Sequence, residues 1–318
     1  MNYLVTGGAG FIGYNIVEEL LRRGENVRVL DNFSTGKREN LAQFLDKIEL
    51  IEGDIRSYHI VREAVVGVDV ILHEAALPSV PRSIRDPITS NDVNVGGTLN
   101  ILDAAKDAKV KRVVFASSSS VYGDNPELPK HEGMIPNPLS PYAVSKLTGE
   151  KYCSVFSRIY GLETVALRYF NVFGPRQDPT SQYSAVIPRF ITAILNDQQP
   201  VVYGDGEQSR DFTFVANVIE ANVLAATTSN VSGIAMNCAC HDRISLNQLI
   251  TSINTILKKN IQPIYQTSRT GDIKHSFASI ALAEEKILYQ PKVKFIDGLL
   301  KTIEWYKLNE SKVDNAKR

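Results

Sequence analysis

Short runs of valine, isoleucine and leucine alternate with amphipathic stretches through the first half of the chain, and this alternation limits the possible folds more than any other feature. Each run is almost continuously apolar, which is typical of strands buried on both faces of a parallel sheet covered by helices. Residues 11–24 have apolar residues at helical spacing and end at Gly24, a usual helix terminus. We therefore predict a doubly wound α/β fold with a parallel Rossmann sheet. The predicted strands are residues 2–6, 26–30, 48–52, 68–73, 112–117 and 163–169, and further helices are predicted at 92–108 and 143–160.

The composition is that of an ordinary soluble globular protein, and it narrows the possible partners. The chain is 43% hydrophobic and 22% charged, and its 35 basic residues balance its 35 acidic ones. This balance disfavours nucleic acid or an anionic membrane as the main partner. Cys153, Cys238 and Cys240 have neither the spacing of a disulfide framework nor that of a metal site. Since the sequence also has no signal-peptide pattern and no long apolar span, we expect a cytoplasmic protein.

A glycine-rich turn, GGAGFIG, follows the first predicted strand and precedes the first predicted helix. Gly8, Gly10 and Gly13 satisfy the spacing G-x-G-x-x-G. Gly7 begins a second possible spacing, G-x-x-G-x-x-G, which shares the last two glycines. Such a turn bends tightly, lets a pyrophosphate approach the bare backbone, and allows close packing of helix on strand. Backbone N–H groups at the helix N-terminus then face the phosphate charge. The turn and its place predict a dinucleotide site.

An acidic residue at the end of the second predicted strand bears on which dinucleotide binds. Asp31 lies where a carboxylate would bind the adenosine ribose hydroxyls and repel the extra phosphate of NADP. We therefore predict NAD, while Lys37 and Arg38 leave NADP as an alternative. Asp54, after the third strand, could bond the adenine edge or could form an Asx turn.

The sequence pattern changes after residue 170, where prolines and glycines interrupt the alternation of strands and helices and the apolar runs become short. We predict a dinucleotide-binding Rossmann domain over residues 1–170 and a smaller α/β substrate domain over residues 171–318. Residues 212–229 again indicate a strand followed by a helix, so we expect the chain to return to the first domain around residues 212–240.

A tyrosine and a lysine four residues apart begin the helix predicted at 143–160, in the sequence SPYAVSK. Tyr142 and Lys146 therefore lie on one face of that helix. Free tyrosine has a pKa of about 10, and an adjacent ammonium together with a cationic nicotinamide ring would lower this pKa so that Tyr142 could act as a base. The preceding strand ends in four serines, FASSSSVYG, at the edge where α/β sheets bind ligands. A serine hydroxyl there could bond the substrate oxygen that the tyrosine deprotonates. The alternative is a surface pair on an amphipathic helix.

With these residues the chain resembles an extended short-chain dehydrogenase/reductase, and within that family the NAD-dependent 4-epimerases of UDP-hexoses and UDP-N-acetylhexosamines. The resemblance extends along the whole chain, with the family's motifs in order. They are TGGAGFIG, DNFSTGKREN, GDI, HEAALPSVPRS, NVGGT, SSSSVYG, SPYAVSK, RYFNVFGPRQDP, VYGDGEQSRDF and RTGDIKHS. The resemblance implies NAD as cofactor, a UDP-sugar as substrate, and a homodimer formed through the helices at 92–108 and 143–160.

The resemblance also implies roles for individual residues in catalysis and cofactor binding. Ser118 matches the catalytic serine, Tyr142 the base and Lys146 its partner. Asn94 matches a position that helps to hold the lysine and the adjoining backbone. The implied cofactor-binding residues are Gly7, Gly10, Phe11, Ile12, Gly13, Asp31, Asn32, Ser34, Thr35, Gly36, Asp54, Ile55, Ala75, Ala76, Asn94, Tyr142 and Lys146.

A further set of residues is implied to bind the substrate. Arg210 and Arg269 suit a diphosphate because a guanidinium group matches phosphate geometry. Ser276 matches a gate that is small in relatives accepting N-acetylated sugars, whereas Pro78 departs from the glycine of some of them. Asp178 lies where uronate epimerases carry a basic residue, so it would repel a uronate. The whole set is Pro78, Ser79, Ser118, Ser119, Tyr142, Asn171, Gln177, Ala185, Val186, Tyr203, Arg210, Arg269, Asp272 and Ser276.

The reaction implied by the resemblance inverts carbon 4 without net oxidation. Tyr142 removes the proton of the 4-hydroxyl while hydride passes to NAD, and the 4-keto sugar turns and takes the hydride back on its other face. Related dehydratases and decarboxylases have carboxylates where this chain has Ser119 and Ser120, and a serine cannot replace a carboxylate as general base. We predict epimerisation of UDP-GlcNAc/UDP-GalNAc, with UDP-Glc/UDP-Gal also accepted. The alternatives are a UDP-glucuronate 4-epimerase, a net NAD(P)-dependent sugar-nucleotide oxidoreductase of the same fold, and a nucleotide-sensing protein without activity.

Overall fold

A computed structural model gives the fold of residues 1–179, 185–268 and 274–315, with side chains described up to residue 309. Its strands are β1 (Asn2–Thr6), β2 (Asn26–Asp31), β3 (Ile48–Glu52), β4 (Val70–His73), β5 (Arg112–Ser118), β6 (Glu163–Tyr169), β7 (Val172–Phe173), β8 (Val201–Tyr203), β9 (Ser209–Arg210), β10 (Thr213–Phe214), β11 (Ile234–Cys238), β12 (Ile244–Ser245) and β13 (Ile264–Gln266). Its α-helices are α1 (Phe11–Arg22), α2 (Arg38–Leu41), α3 (Tyr58–Ala64), α4 (Val80–Arg85), α5 (Pro87–Asn91), α6 (Gly97–Asp107), α7 (Pro141–Tyr160), α8 (Val186–Leu195), α9 (Val215–Thr227), α10 (Leu246–Leu257), α11 (Ala281–Ile287) and α12 (Phe295–Asn315).

The largest sheet has seven parallel strands in the order β3-β2-β1-β4-β5-β6-β11. The direction of the strand order reverses between β1 and β4, which confirms the predicted doubly wound α/β fold. Ligands of such sheets bind in the crevice beyond the carboxyl ends of the strands at this reversal. Gly7, after β1, and Glu74, after β4, therefore lie at the place where a ligand is expected.

Both faces of the sheet are buried, which explains why the predicted strands are continuously apolar. Val5 of β1 and Leu72 of β4 pack in one hydrophobic cluster, which also contains Ile16 of α1. Their chain neighbours Leu4 and Ile71 point to the other face and belong to a second cluster. Because successive side chains of a strand point to opposite faces, a sheet covered on both sides needs apolar residues at every position.

Two predicted helices begin differently in the structure. Helix α7 starts at Pro141, two residues before the predicted start, because the Ser140 side chain accepts the Ala143 N–H at 3.1 Å and proline suits the first turn. The predicted helix at 92–108 begins with a π-helical turn, Asp92–Gly96, before α6. Helix α1 ends at Arg22, and Gly24 follows with a φ of +76°, as expected for a glycine that terminates a helix.

The second half of the chain both completes the large sheet and forms a separate apolar cluster. Strand β11 pairs in parallel with β6, and α9 packs against α1, β5 and β6. The other strands after residue 170 form two-stranded pairs, namely β7 with β10, β8 with β13 and β9 with β12. Around them, α8, α10 and α12 enclose a third cluster that includes Phe173, Phe295 and Leu299. In the described part of the chain no helix combines the length and apolarity needed to cross a membrane.

Candidate active site

The glycine turn between β1 and α1 leaves no room for side chains. Gly7 has a φ of +72°, and a Cβ there would lie 2.8 Å from the backbone of Ala75. A Cβ on Gly13 would lie 2.2 Å from the carbonyl oxygen of Gly7. Gly10 caps α1 without a side chain, and the first turn of the helix, which contains Phe11 and Ile12, has no acidic residue. The turn therefore presents bare backbone and a helix N-terminus, which fits the pyrophosphate of a dinucleotide.

Asp31 ties the end of β2 to this turn. Its two carboxylate oxygens accept the N–H groups of Ala9 at 2.9 Å and of Phe33 at 2.8 Å. Burial raises the pKa of Asp31, while these two backbone hydrogen bonds oppose the rise. Gly36 completes the arrangement, because a Cβ there would lie 2.8 Å from the backbone of Ala9. The loop after β2, including Ser34 and Thr35, is thereby packed against the glycine turn.

The neighbouring polar residues of this loop are engaged with one another. The Asp54 carboxylate accepts the Arg56 N–H at 2.8 Å, so the Asx-turn alternative is present, and it also accepts the Asn32 amide at 2.9 Å. An ion pair with Arg56 lowers the pKa of Asp54 to about 2. Ile55 is buried in the core rather than exposed to the cleft.

Lys37 and Arg38, the two cations that made NADP an alternative cofactor, are both paired with carboxylates. Lys37 lies 2.9 Å from Asp178, and Arg38 pairs with Glu52 while stacking over the Phe33 ring. These contacts reduce the positive charge available to an extra phosphate.

Ser118, Tyr142 and Lys146 come together at the carboxyl edge of the sheet. Helix α7 places Lys146 against β5, where its Nζ donates to the Ala116 carbonyl at 2.7 Å. The same Nζ lies 5.8 Å from the centroid of the Tyr142 ring. Ser118 ends β5 and is hydrogen bonded to the Tyr142 hydroxyl. A substrate hydroxyl brought here would meet a serine and a tyrosine hydroxyl with an ammonium group behind them.

Asn94, in the π-helical turn, connects the loop after β4 to helix α7 by hydrogen bonds. Its Oδ1 accepts the Leu77 N–H at 2.8 Å, and its Nδ2 donates to the Leu77 carbonyl at 3.1 Å and to the Ser145 hydroxyl at 3.2 Å. It therefore holds the residue next to Lys146 and the backbone beside Ala76.

Burial is the largest influence on the pKa values of Tyr142 and Lys146. Desolvation raises the pKa of Tyr142 to about 12, although the hydrogen bond from Ser118 opposes the rise. Desolvation also lowers the pKa of Lys146 to about 8, against the attraction of Glu74. For these side chains by themselves, the cost of burying a phenolate exceeds the help of its neighbours. The predicted lowering of the Tyr142 pKa includes the charge of a bound nicotinamide ring, and it stays a prediction.

A buried polar network surrounds the four serines and was not predicted. The Glu150 carboxylate accepts the Ser117 hydroxyl at 2.5 Å and a two-point pairing from Arg168 at 2.9 and 2.8 Å. Arg168 also donates to the Tyr122 hydroxyl at 2.8 Å, which in turn donates to Asn237 at 2.7 Å. The segment is thus fixed at Ser117 and at Tyr122, with Ser118 between them.

A cavity of about 290 Å³ lies among the elements that follow β6, and five of the predicted substrate residues line it. Arg210 donates to the carbonyls of Ser209 and Lys274 at 2.9 and 3.2 Å, and Asn171 donates to the Asp211 carbonyl at 3.0 Å. Gln208, which was not predicted, contributes a buried carboxamide oxygen with no hydrogen-bond partner among the described residues. The five predicted residues are Asn171, Ala185, Val186, Tyr203 and Arg210.

The other predicted substrate residues are more scattered, and they are not in the described lining of this cavity. Ser79 has a φ of +104° and caps α4, while Pro78 before it is exposed. The Gln177 amide donates to the Val172 carbonyl at 3.2 Å, and the Ser276 N–H donates to the Ser209 carbonyl at 3.0 Å. Ser119 begins the 3-10 turn after β5. Two predicted residues, Arg269 and Asp272, lie outside the described residues.

The sequence of most of the chain decides the family. Residues 3–239 match the profile of the NAD dependent epimerase/dehydratase family. The chain belongs to this family. NAD, the cofactor predicted from the sequence, is the cofactor of this epimerase/dehydratase family, and the predicted family is confirmed.

Relatives within the epimerase/dehydratase family match along nearly their whole length. A UDP-glucose 4-epimerase from Mycolicibacterium smegmatis is 37% identical over 311 residues, which cover 96% of this chain and 99% of the relative. The structure of a UDP-N-acetylglucosamine 4-epimerase from Methanobrevibacter ruminantium in complex with UDP-N-acetylmuramic acid is 42% identical, with a TM-score of 0.93 over 97% of this chain and 98% of its own. A UDP-glucuronic acid 4-epimerase from Bacillus cereus is 32% identical, with a TM-score of 0.90 over 97% of this chain and 99% of its own.

Proposed function

We propose that this protein interconverts the carbon-4 epimers of UDP-sugars through a 4-keto intermediate. One observation carries the proposal. The cleft brings together Ser118, Tyr142 and Lys146, while the positions where related dehydratases and decarboxylases keep an acid hold Ser119 and Ser120. The Ser120 hydroxyl is buried with no partner among the described residues, and a serine is too weak a base to start an elimination. Such a site can move one proton and one hydride, and neither of the two positions after Ser118 holds the acid that those relatives use to remove water or carbon dioxide.

The residues of the chain divide the work of the reaction. The bare glycine backbone and Asp31 hold the dinucleotide, and Arg210 with the cavity after β6 holds the UDP group. NAD, when bound, supplies the hydride acceptor and donor and a positive charge that favours the Tyr142 phenolate. Ser118 orients the sugar 4-hydroxyl, and Tyr142 accepts its proton at the phenolic oxygen and later returns it. Lys146 stabilises the phenolate by its charge.

For the sugar we propose UDP-GlcNAc/UDP-GalNAc, with UDP-Glc/UDP-Gal also accepted. The small Ser276 supports the N-acetylated pair, as does the 42% identity to a UDP-N-acetylglucosamine 4-epimerase. UDP-glucuronate is the second candidate. We expected the Asp178 carboxylate to repel the carboxylate of this sugar, but the ion pair with Lys37 compensates the Asp178 charge. A net oxidoreductase is the remaining alternative, and it would release NADH and form a product that is not an epimer.

The substrate is tested by incubating the purified protein, without added NAD, with UDP-GlcNAc, UDP-Glc and UDP-GlcA and resolving the epimers by chromatography. We expect epimerisation of UDP-GlcNAc at the highest rate. The Tyr142→Phe variant should lose about 10²–10⁴-fold in rate, as for other general bases. The matched control is Tyr160→Phe on the same helix, whose half-exposed ring lies away from the site and whose loss should leave the rate unchanged. Equal activity of the Tyr142 variant and the wild type, or production of free NADH, would contradict the proposal.

We further propose a cytoplasmic homodimer built on α7. Val144, Val155 and Ile159 lie on one face of this helix and are 49%, 44% and 66% exposed. On the adjoining helices, Ile84 and Ile88 are exposed as well. Such an apolar surface suits a self-complementary interface. Light scattering of the purified protein should give the dimer mass, and a monomer mass would refute this proposal.

A further inference from the structure

Glu74 lies in the cofactor cleft and has no role in the predicted sets of residues. It follows β4 directly, at the reversal of the strand order. Its backbone touches the glycine turn, since a Cβ on Gly7 would lie 3.1 Å from the Glu74 carbonyl carbon. The Glu74 N–H donates to the Thr6 carbonyl at 3.2 Å. The backbone that carries the Glu74 side chain is therefore held in place between the glycine turn and the Tyr142–Lys146 pair.

A chain of hydrogen bonds, which runs from the part-buried Glu74 to the buried Asn222, fixes the Glu74 side chain. Tyr169 at the end of β6 donates its hydroxyl to Glu74 Oε1 at 2.6 Å, the length usual for a hydroxyl bonded to a carboxylate. The same hydroxyl accepts the Asn222 amide of α9 at 2.7 Å, and that amide also bonds the Val218 carbonyl at 2.9 Å. Asn222 is fully buried and Tyr169 is 8% exposed. Strands β4 and β6 and helix α9 thus hold one carboxylate in a defined place.

The strand register places Glu74 next to the pair formed by Tyr142 and Lys146. Glu74 follows His73, which pairs with Phe115 of β5, and the Lys146 Nζ lies 5.1 Å from the centroid of the Phe115 ring. The Glu74 charge adds to the rise that burial causes in the Tyr142 pKa, and it opposes the fall that burial causes in the Lys146 pKa. The Lys146 charge in turn lowers the pKa of Glu74. Burial raises the pKa of Glu74 to about 7, against the Tyr169 hydrogen bond and the Lys146 charge, so the carboxylate is charged above about pH 7.

The remaining titratable groups near Glu74 carry no charge at neutral pH. The pKa of Tyr169 on β6 and that of the Cys238 thiol on β11 are both raised by burial and by Glu74. His73 on β4 bonds Thr6 and Thr98, and burial lowers its pKa to about 3. Arg168, the cation on β6 next to Tyr169, is paired with Glu150, so Lys146 is the cation that acts on Glu74.

We propose that Glu74 is a positioning residue of the active site, whose carboxylate, fixed by Tyr169, is the counter-charge of Lys146 and sets the pH range in which the Tyr142–Lys146 pair works. This inference rests on the proposed function only in assigning proton transfer to that pair. Removing the negative charge makes both groups release their protons more readily. The Tyr142 phenolate then forms at lower pH, and the Lys146 ammonium is lost at lower pH as well.

The first test is the pH dependence of kcat/KM in the Glu74→Gln variant. Both limbs of the profile should move to lower pH by about one unit, which is about tenfold in each protonation equilibrium. A residue needed only for folding would lower activity or stability without moving both limbs in one direction. Glu63→Gln, the same change at an exposed site on α3, is the matched control and should leave the profile unchanged. Unmoved limbs in Glu74→Gln would overturn the inference.

The second test does not depend on turnover. The protein is labelled with ¹³Cε-lysine, the Lys146 signal is assigned by its loss in Lys146→Arg, and its chemical shift is followed with pH at matched NAD content. The Lys146 pKa should fall in Glu74→Gln, and it should fall less in Tyr169→Phe, which keeps the carboxylate but removes the hydrogen bond that helps it to ionise. The Tyr169 variant also decides the matter if Glu74→Gln does not fold. An unchanged Lys146 titration would overturn the inference, whereas a shifted titration in a protein that epimerises no UDP-sugar would support it and refute the proposed function instead.

Discussion

Replacing Arg168 with methionine should destabilise the protein strongly, because the change leaves the buried Glu150 carboxylate without its cation. The side chains of Arg168 and Glu150 are only 6% and 4% exposed, and the arginine makes two hydrogen bonds to the carboxylate and one to Tyr122. Removing one partner of a buried ion pair costs about 3–5 kcal/mol. For 318 residues the entropy of unfolding is about 0.7 kcal/mol/K, so the melting temperature should fall by about 4–7 °C.

The assay is thermal unfolding of matched variants at one pH and one NAD content. Arg22→Met breaks an exposed ion pair with Glu19 and should lower the melting temperature much less than Arg168→Met does. The double variant Arg168→Met/Glu150→Gln should recover at least half of the loss, because a neutral amide can still accept the Ser117 hydroxyl and needs no cation. A single Arg168 variant as stable as Arg22→Met would refute the reasoning. So would a double variant that is less stable than Arg168→Met alone.

Two more predictions follow from the site. Gly13→Ala should purify with little bound NAD, since its Cβ would lie 2.2 Å from the Gly7 carbonyl oxygen. The control Gly96→Ala, whose Cβ would have no atom within 4 Å, should retain NAD. The NAD content is measured on the nucleotide released by acid, and equal contents in the two variants would contradict the steric explanation. The rate should also fall as pH rises above about 8, because burial lowers the Lys146 pKa to about 8 and the ammonium is lost above it. Initial rates between pH 6 and 10 measure this limb, and a rate that keeps rising through pH 9 would contradict it.

The parts of the site that depend on spacing along the chain could be predicted from the sequence. Gly7 and Gly13 lie in one turn, and Tyr142 and Lys146 lie one helical turn apart, so their proximity follows from local geometry. The parallel sheet was predictable because both of its faces are buried, and this makes its strands continuously apolar.

The parts that depend on packing could not be predicted. Tyr169 and Glu74 are 95 residues apart, and no local pattern marks their hydrogen bond. Glu150 lies one turn beyond Lys146 on α7, so its spacing could have indicated that it lies near the site. Its partner Arg168 lies on β6, and no local pattern predicts their ion pair. The burial that raises the pKa of the Tyr142 side chain could not be predicted for the same reason, since its cost depends on how completely the fold encloses the ring.

The central claim is that one hydride leaves carbon 4 and returns to the same carbon, and an isotope measurement tests it most directly. UDP-GlcNAc carrying deuterium at carbon 4 is incubated with the purified protein, without added NAD, and the epimer is analysed by mass spectrometry and NMR. We predict that the epimer keeps its deuterium at carbon 4 and that no free NADH accumulates. Loss of the deuterium to solvent, or a labelled NADH released in proportion to a keto product, would contradict it.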